Sequence, residues 1–302
     1  MQLYDRLHVR PDGREGHVLK PAHTTARPLA VAHLTALELE PSQWVRAAAR
    51  AGFAAVGLRL YPAAAGGIAY LSRVGSEAHR ELQHTLAGEG VTVHDVEFIP
   101  VVPELKSASL CVLFEAASSL GARCVSVSGD DPDFARLAAT LAEMAELARP
   151  FGLRIDLEFM RWRHVGSLAQ AREVIARASH PNLALLVDAL HLSRSGGTPS
   201  DIAALAPEVI GSVQLCDASA LLPDSDEDAI REARTSRLAP GDGALPLDAL
   251  LRALPAHVPL SVEMPMPSLP LAARIDLAYR ATRHVVDRAE IAASATNRTG
   301  TP

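Results

Sequence analysis

Eight short apolar runs recur along the chain, at 29–34, 54–60, 91–98, 123–128, 153–159, 183–188, 209–216 and 258–263. Several are nearly continuously apolar, the pattern of parallel strands buried on both faces. Between them the apolar positions change to helical spacing. PSQWVRAAARAG opens with Pro41 and Ser42 and stops at Gly52, and SASLCVLFEAASSLG stops at Gly121. DPDFARLAATLAEMAELARPFG starts on Asp133 as an N-cap and closes at Pro150 and Gly152. SLAQAREVIARAS, LPLDALLRAL and LPLAARIDLAYRATRHVVDRAE supply further amphipathic segments. Strand and helix in regular alternation imply parallel pairing through right-handed crossovers. Eight such units predict a closed (β/α)8 barrel. A doubly wound open sheet is the alternative, but no GxGxxG or GxxxxGK[ST] follows an early strand. The barrel is expected over 29–290, with an irregular arm rich in Pro, His, Arg and Gly at 1–28 and a disordered tail at 291–302.

Four of the runs end in a group that binds metal through oxygen: LRIDLE at Glu158, LALLVD at Asp188, VIGSVQ at Gln214 and VPLSVE at Glu263. Catalytic groups of a parallel barrel sit at the C-terminal ends of its strands. The fifth to eighth strands would therefore bring three carboxylates and one amide oxygen together. One acidic residue at a strand end is commonly just a helix N-cap. Three carboxylates held close repel unless a cation or protons neutralise them. Oxygen-only ligation suits a hard divalent ion, Mn²⁺ or Mg²⁺. His191 follows Asp188 by three residues in DALHLSRSG, which places it on the loop above the metal, either to meet substrate and move protons or as a structural loop residue.

Arg59 ends the second strand, and His94 and Glu97 lie at the end of the third. In HDVEF, His94, Val96 and Phe98 alternate with Asp95 and Glu97, so only one set faces the interior. Arg161 and Arg163 follow Glu158, while Arg194 and Arg237 lie beyond the sixth and seventh strands. A guanidinium fork suits a carboxylate or phosphate, so a small anionic substrate is expected. RLAPGDGALP, with Gly241 and Gly243, is either a loop that closes over substrate or a plain turn.

Composition narrows the class. A 48% hydrophobic, 21% charged chain of 302 residues can bury a large core. Its net charge of −6 and dispersed arginines argue against a nucleic-acid surface. No apolar stretch approaches a membrane span and the start has no hydrophobic signal core, so a cytoplasmic protein is expected. Cys111, Cys124 and Cys216 lack CxxC spacing and read as reduced thiols. Nothing locates an oligomer interface, although barrels of this kind often associate.

LEFM at Glu158, DALHLSRSG at Asp188, SVQLCDA at Gln214, RLAPGDGALP at Arg237 and SVEMP at Glu263 resemble the sugar phosphate isomerase/epimerase superfamily of xylose isomerase-like TIM barrels. The likeness runs over roughly 29–290, with GFAAVGLRLYP and VTVHDVEFIP resembling the family's second and third strands. It implies a metal held by Glu158, Asp188, Gln214 and Glu263, with His191 contacting substrate and Glu97 at the mouth. Ketose epimerases of the family usually have His as the third ligand. Gln214 makes the chain more similar to the hydroxypyruvate isomerase and 3-dehydroshikimate dehydratase branches. The shared chemistry is proton abstraction beside a carbonyl, with Glu158 and Glu263 as ligands and acid/base groups and His191 as proton carrier or hydroxyl clamp. An isomerase or epimerase of a small hydroxy-carbonyl compound is the leading expectation, a dehydratase of a hydroxy-keto acid the alternative, and a non-catalytic binding protein a third. A repair endonuclease would need further His ligands and a basic groove.

Overall fold

The computed structural model describes residues 27–299, with side chains as far as Ala292. Residues 1–26, most of the expected arm, and 300–302 lie outside the described residues. The strands are β1 (Leu29–Val31), β2 (Ala55–Arg59), β3 (Thr92–Val101), β4 (Cys124–Gly129), β5 (Arg154–Glu158), β6 (Leu183–Asp188), β7 (Ile210–Leu215) and β8 (Leu260–Val262). They pair in parallel in chain order, and β8 closes on β1 through Leu29↔Leu260, Ala30↔Ser261 and Val31↔Val262. The sheet is a closed barrel, not the open alternative, and every apolar run carries one of its strands.

The helices are α1 (Pro41–Ala51), α2 (Glu77–Glu89), α3 (Cys111–Ser119), α4 (Phe134–Ala148), α5 (Leu168–Ala178), α6 (Ala189–Arg194), α7 (Pro199–Ala203), α8 (Asp226–Thr235), α9 (Leu247–Ala253) and α10 (Leu271–Thr299). Asp133 caps α4 by accepting the backbone N–H groups of Ala135 and Arg136, and Ser167 caps α5 through Gln170. α10 continues to Thr299, through most of the segment whose composition predicts a tail. An alanine-rich stretch adds turns to an existing helix without a new nucleation cost. No helix of the described residues is long and apolar enough to cross a membrane.

Outward-facing strand residues such as Val56, Leu58, Val96, Leu157 and Val187 join Trp44, Phe114, Leu141, Met144 and Val285 of the helices in one apolar cluster. The barrel interior is polar by contrast. On β5, Arg154 donates to Asp156 at 2.5 and 2.8 Å, and Ser212 Oγ of β7 reaches past β6 to donate to Asp156 Oδ2 at 2.8 Å. That bond between non-adjacent strands shows the face on which Asp156, and two residues on Glu158, must lie.

β3 carries two register shifts. Val56 pairs with Val93 but Gly57 with Asp95, which leaves His94 as the extra residue, and a second shift falls between Val96 and Ile99. Asp95 and Glu97 both turn inward beside Gly57. A Cβ at Gly57 would stand 2.7 Å from Asp95 Oδ1 and closer still to Glu97 Oε1. Gly57→Ala is expected to cost about 1–3 kcal/mol by overpacking, read from urea unfolding. Unchanged stability would show that the two carboxylates are free to move aside.

Candidate active site

Glu158, Asp188 and Gln214 occupy the last or next-to-last positions of β5, β6 and β7, and Glu263 immediately follows β8. All four are buried. Asp188 Oδ1 accepts the His191 backbone N–H at 2.9 Å as the N-cap of α6, so the capping role and the site role coexist in one residue. The same cap places His191 above the strand tips. Its Nε2 lies 3.7 Å from Glu158 Oε1, and ligand atoms of Glu158, Asp188 and His191 fall within 4.8 Å of one another. Trp162 packs edge-on against the His191 ring at 5.1 Å.

Arg237 supplies the cation these carboxylates require. Its Nη1 donates to Asp188 Oδ2 at 2.6 Å, its Nη2 to Glu263 Oε2 at 2.5 Å, and its Nε to the Ala233 carbonyl at 2.8 Å. Asp217 fixes the loop that carries it. The Asp217 carboxylate accepts N–H groups from Ala218, Gly241 and Leu245, and its backbone pairs with Leu238. Gly241 adopts φ +95° to make its bond. The RLAPGDGALP segment is thus a pinned turn that aims Arg237, not a free flap.

Three like groups acquire three proton affinities. Burial raises Asp188, but Arg237, His191 and the cap bond outweigh it and hold the carboxyl below its ordinary range. Burial pushes Glu263 up to about 7 against the pull of Arg237. Glu158 has no direct cation; burial, then Glu263 and Asp188, push it well above the carboxylate range. Burial lowers His191 to about 4, so its ring is neutral at physiological pH.

The donor set fits a hard divalent ion. Glu158 Oε1 and Gln214 Oε1 are buried without hydrogen-bond partners, as is His191 Nδ1. Glu158, Asp188, Gln214 and Glu263 would hold the ion, which would relieve the crowding that now raises Glu158.

A second group lies on the β2–β3 side. Arg59 Nη2 donates to Glu97 Oε2 at 3.1 Å, and Glu97 Oε1 accepts the His33 backbone N–H at 2.6 Å. His33 Nδ1 in turn accepts the Arg59 backbone N–H at 3.0 Å, with Nε2 against the Leu39 carbonyl at 2.9 Å. The ring is stacked between Trp44 and Tyr70 at 5.5 and 5.4 Å. Burial drives His33 down to about 3 and lifts Glu97 to about 7, Arg59 opposing the latter. His33 positions the Arg59–Glu97 pair, and its isolated place in the sequence gave no sign of it.

A cavity of about 300 Å³ joins the two groups, lined by Arg59, Glu97, Glu158, His191, Gln214, Arg237 and Glu263 together with Phe98, Met160, Trp162, Arg163 and Arg234. Two expected substrate contacts do not reach it. Arg161 is committed to Asp226 at 3.0 Å and the Pro223 carbonyl, tying down the start of α8. His94 is displaced by the β3 bulge toward Asp156 and Arg154, and burial lowers it to about 4. Arg194 is likewise engaged, by Glu232 and the Ser219 carbonyl. Arg234, in the last turn of α8, belongs to a segment too polar for the sequence to mark it as a core-facing helix.

A family model described as xylose isomerase-like TIM barrel matches residues 45–285. A 3-dehydroshikimate dehydratase of Pseudomonas aeruginosa is 35% identical over 157 residues, half of this chain and 24% of that enzyme. The matched region thus spans about a quarter of that relative's length. An inosose isomerase of Halalkalibacterium halodurans is 28% identical over 120 residues, 38% of this chain and 39% of that one. Among solved structures, the IolI protein with a bound zinc atom superposes at a TM-score of 0.71 with 20% identity, covering 86% of this chain and 98% of that one.

Two outcomes test the electrostatics. Arg237→Met should cost about 3–5 kcal/mol of stability in chelator-treated protein, because it strands two buried carboxylates. A loss below about 1 kcal/mol in urea unfolding would show that they are neutralised by protons instead. For His33, the unfolded chain takes up a proton near pH 6.5 and the folded chain only near 3, so its contribution to stability falls as pH drops through that window. The stability gap between wild type and His33→Asn should narrow by about 2 kcal/mol from pH 7 to pH 5. A gap constant with pH would place the His33 ring in water.

Proposed function

The chain belongs to the xylose isomerase-like TIM barrel family, and from that premise we propose that it is a divalent-metal-dependent enzyme that removes a proton beside the carbonyl of a small hydroxy-carbonyl compound. Glu158, Gln214 and Glu263 line one cavity, two of them with orphaned buried oxygens, and Asp188 lies buried beside them within ligand distance of Glu158, an arrangement that carries the proposal. A bound Mn²⁺ or Mg²⁺ would polarise the substrate oxygen and stabilise the charge that develops on enolisation.

The chain's own groups divide the remaining work. Glu158, once a bound cation offsets the burial and like charges that raise its proton affinity, would take a carbon-bound proton as carboxylate and return it as acid. Glu263, fixed by Arg237, is the second acid/base. His191 stays neutral and, with its ring set by Trp162, meets a substrate hydroxyl. Leu34, Ile68, Phe98 and Met160 line the cavity with apolar surface that limits water around the reacting carbon.

Return of the proton to a neighbouring atom gives isomerisation; loss of hydroxide from the next carbon gives dehydration. The 35% identity to a dehydratase supports dehydration, and the weaker likeness to an inosose isomerase supports isomerisation as the second reading. In a screen of hydroxy-keto acids and sugars with Mn²⁺ or Mg²⁺, dehydration generates a conjugated, ultraviolet-absorbing product and isomerisation does not. Glu263→Gln should lower kcat by about a thousandfold or more with the circular dichroism spectrum unchanged. Near-normal turnover in that variant would remove Glu263 from the mechanism.

A further inference from the structure

We propose that Arg59, Arg163 and Arg234 form a receptor for a carboxylate carried by the substrate. All three line the cavity that also holds the strand-tip ligands. The assignment deepens the proposed function and rests on it for the placement of the rest of the substrate.

The three guanidiniums are under-partnered in a specific way. Arg59 Nη2 is paired with Glu97 and Arg163 Nη1 with Asp130 at 3.0 Å, yet Nε of each is buried without an acceptor. Both guanidiniums lie against the Phe98 ring, at 5.5 and 5.8 Å from its centroid, so one side chain of the cavity lining gathers the two. Arg234 has no ion-pair partner among the described residues. Arg234 is an exposed residue on the cavity lining; partial burial of its guanidinium, then the charges of Arg163 and Arg59, lower its proton affinity.

Guanidinium nitrogens only donate, so the occupant must be an acceptor. Glu97 and Asp130 pair with Arg59 and Arg163, which leaves Arg234 as the guanidinium of the three without a carboxylate partner among the described residues. A carboxylate brings one negative charge and a planar pair of oxygens that matches an arginine fork. A phosphate monoester brings nearly two charges at neutral pH. The Phe98 face and the Met160 side chain beside these donors suit the carbon skeleton that bears the acid.

The test is calorimetric titration of the protein, with and without Mn²⁺, using glycerate, uncharged glycerol and inorganic phosphate at low ionic strength. Glycerate should bind metal-free wild type and glycerol should not. Arg234→Gln should weaken glycerate at least about tenfold and Arg234→Lys less, with folding unchanged because Arg234 holds no other side chain. Equal affinity in wild type and Arg234→Gln, no glycerate binding by wild type, or binding seen only with metal would overturn the assignment. Phosphate binding tighter than glycerate with the same dependence on Arg234 would overturn the choice of carboxylate. Metal uptake is measured in parallel. Failure to bind metal with Arg234-dependent glycerate binding intact would sink the enolising reading alone, and the reverse result would sink only the receptor.

Discussion

Three carboxylates meeting in a buried pocket set the constraint to which the rest of this structure answers. Uncompensated, such charges cannot stay ionised away from water. Arg237 places its fork between Asp188 and Glu263 and does not touch Glu158. Burial raises both groups, but Asp188 has the fork, His191 and its cap bond to hold it below the usual range, while Glu158 has neither the fork nor a cap bond and is pushed well above it. Like side chains with divergent proton affinities are the arrangement acid/base catalysis requires. The same oxygen-rich donor set suits a hard divalent ion.

Arg237 can act this way only because its backbone is held. Asp217 pins the loop on one side, and the Ala233 carbonyl at the end of α8 holds Nε on the other. α8 is itself tethered by Arg161 at its first turn and by Arg194 through Glu232. The Arg161–Asp226 pair is partly exposed and contributes little to stability, whereas Arg194–Glu232 is largely buried. Their effect is positional: they fix a polar helix with only Ala229 and Ala233 buried, and so fix Arg234 and Arg237 at the cavity.

The strand tips were legible because two constraints of the sheet act together there. Burial on both faces makes the strands visible as short apolar runs, and the convergence of parallel strands at one end gives their terminal residues a shared location. The arginines were not legible in the same sense. A guanidinium on a long flexible stem is committed by partners distant in sequence, so Arg161 and Arg234 could not be told apart before Asp226 and the cavity were seen. His94 was obscured by a bulge, which breaks the alternation from which facing is inferred. His33 lies in a single 3₁₀ turn, where no period exists to report its burial between two aromatic rings. α8 is hidden in the sequence because it is strongly polar overall and buries only two alanines, so no large apolar side chain marks its core face.

The polar floor of the barrel bears on the same chemistry. Barrels of this type commonly fill the interior with branched apolar layers, whereas here Asp156 stands below Glu158 and Asp95 below Glu97. Asp156 is satisfied by Arg154 and Ser212, which makes it a rigid support. Asp95 is not: its Oδ1 has no partner, and burial, followed by Asp156 and Glu263, lifts it to about 7. A carboxyl so placed holds its proton more firmly than an ordinary aspartate. It sits beside Gly57 within reach of Glu97, itself near 7. The floor therefore extends the group of protonatable carboxyls one layer deeper than the strand tips. The field at Glu263 depends on whether that deeper proton is present.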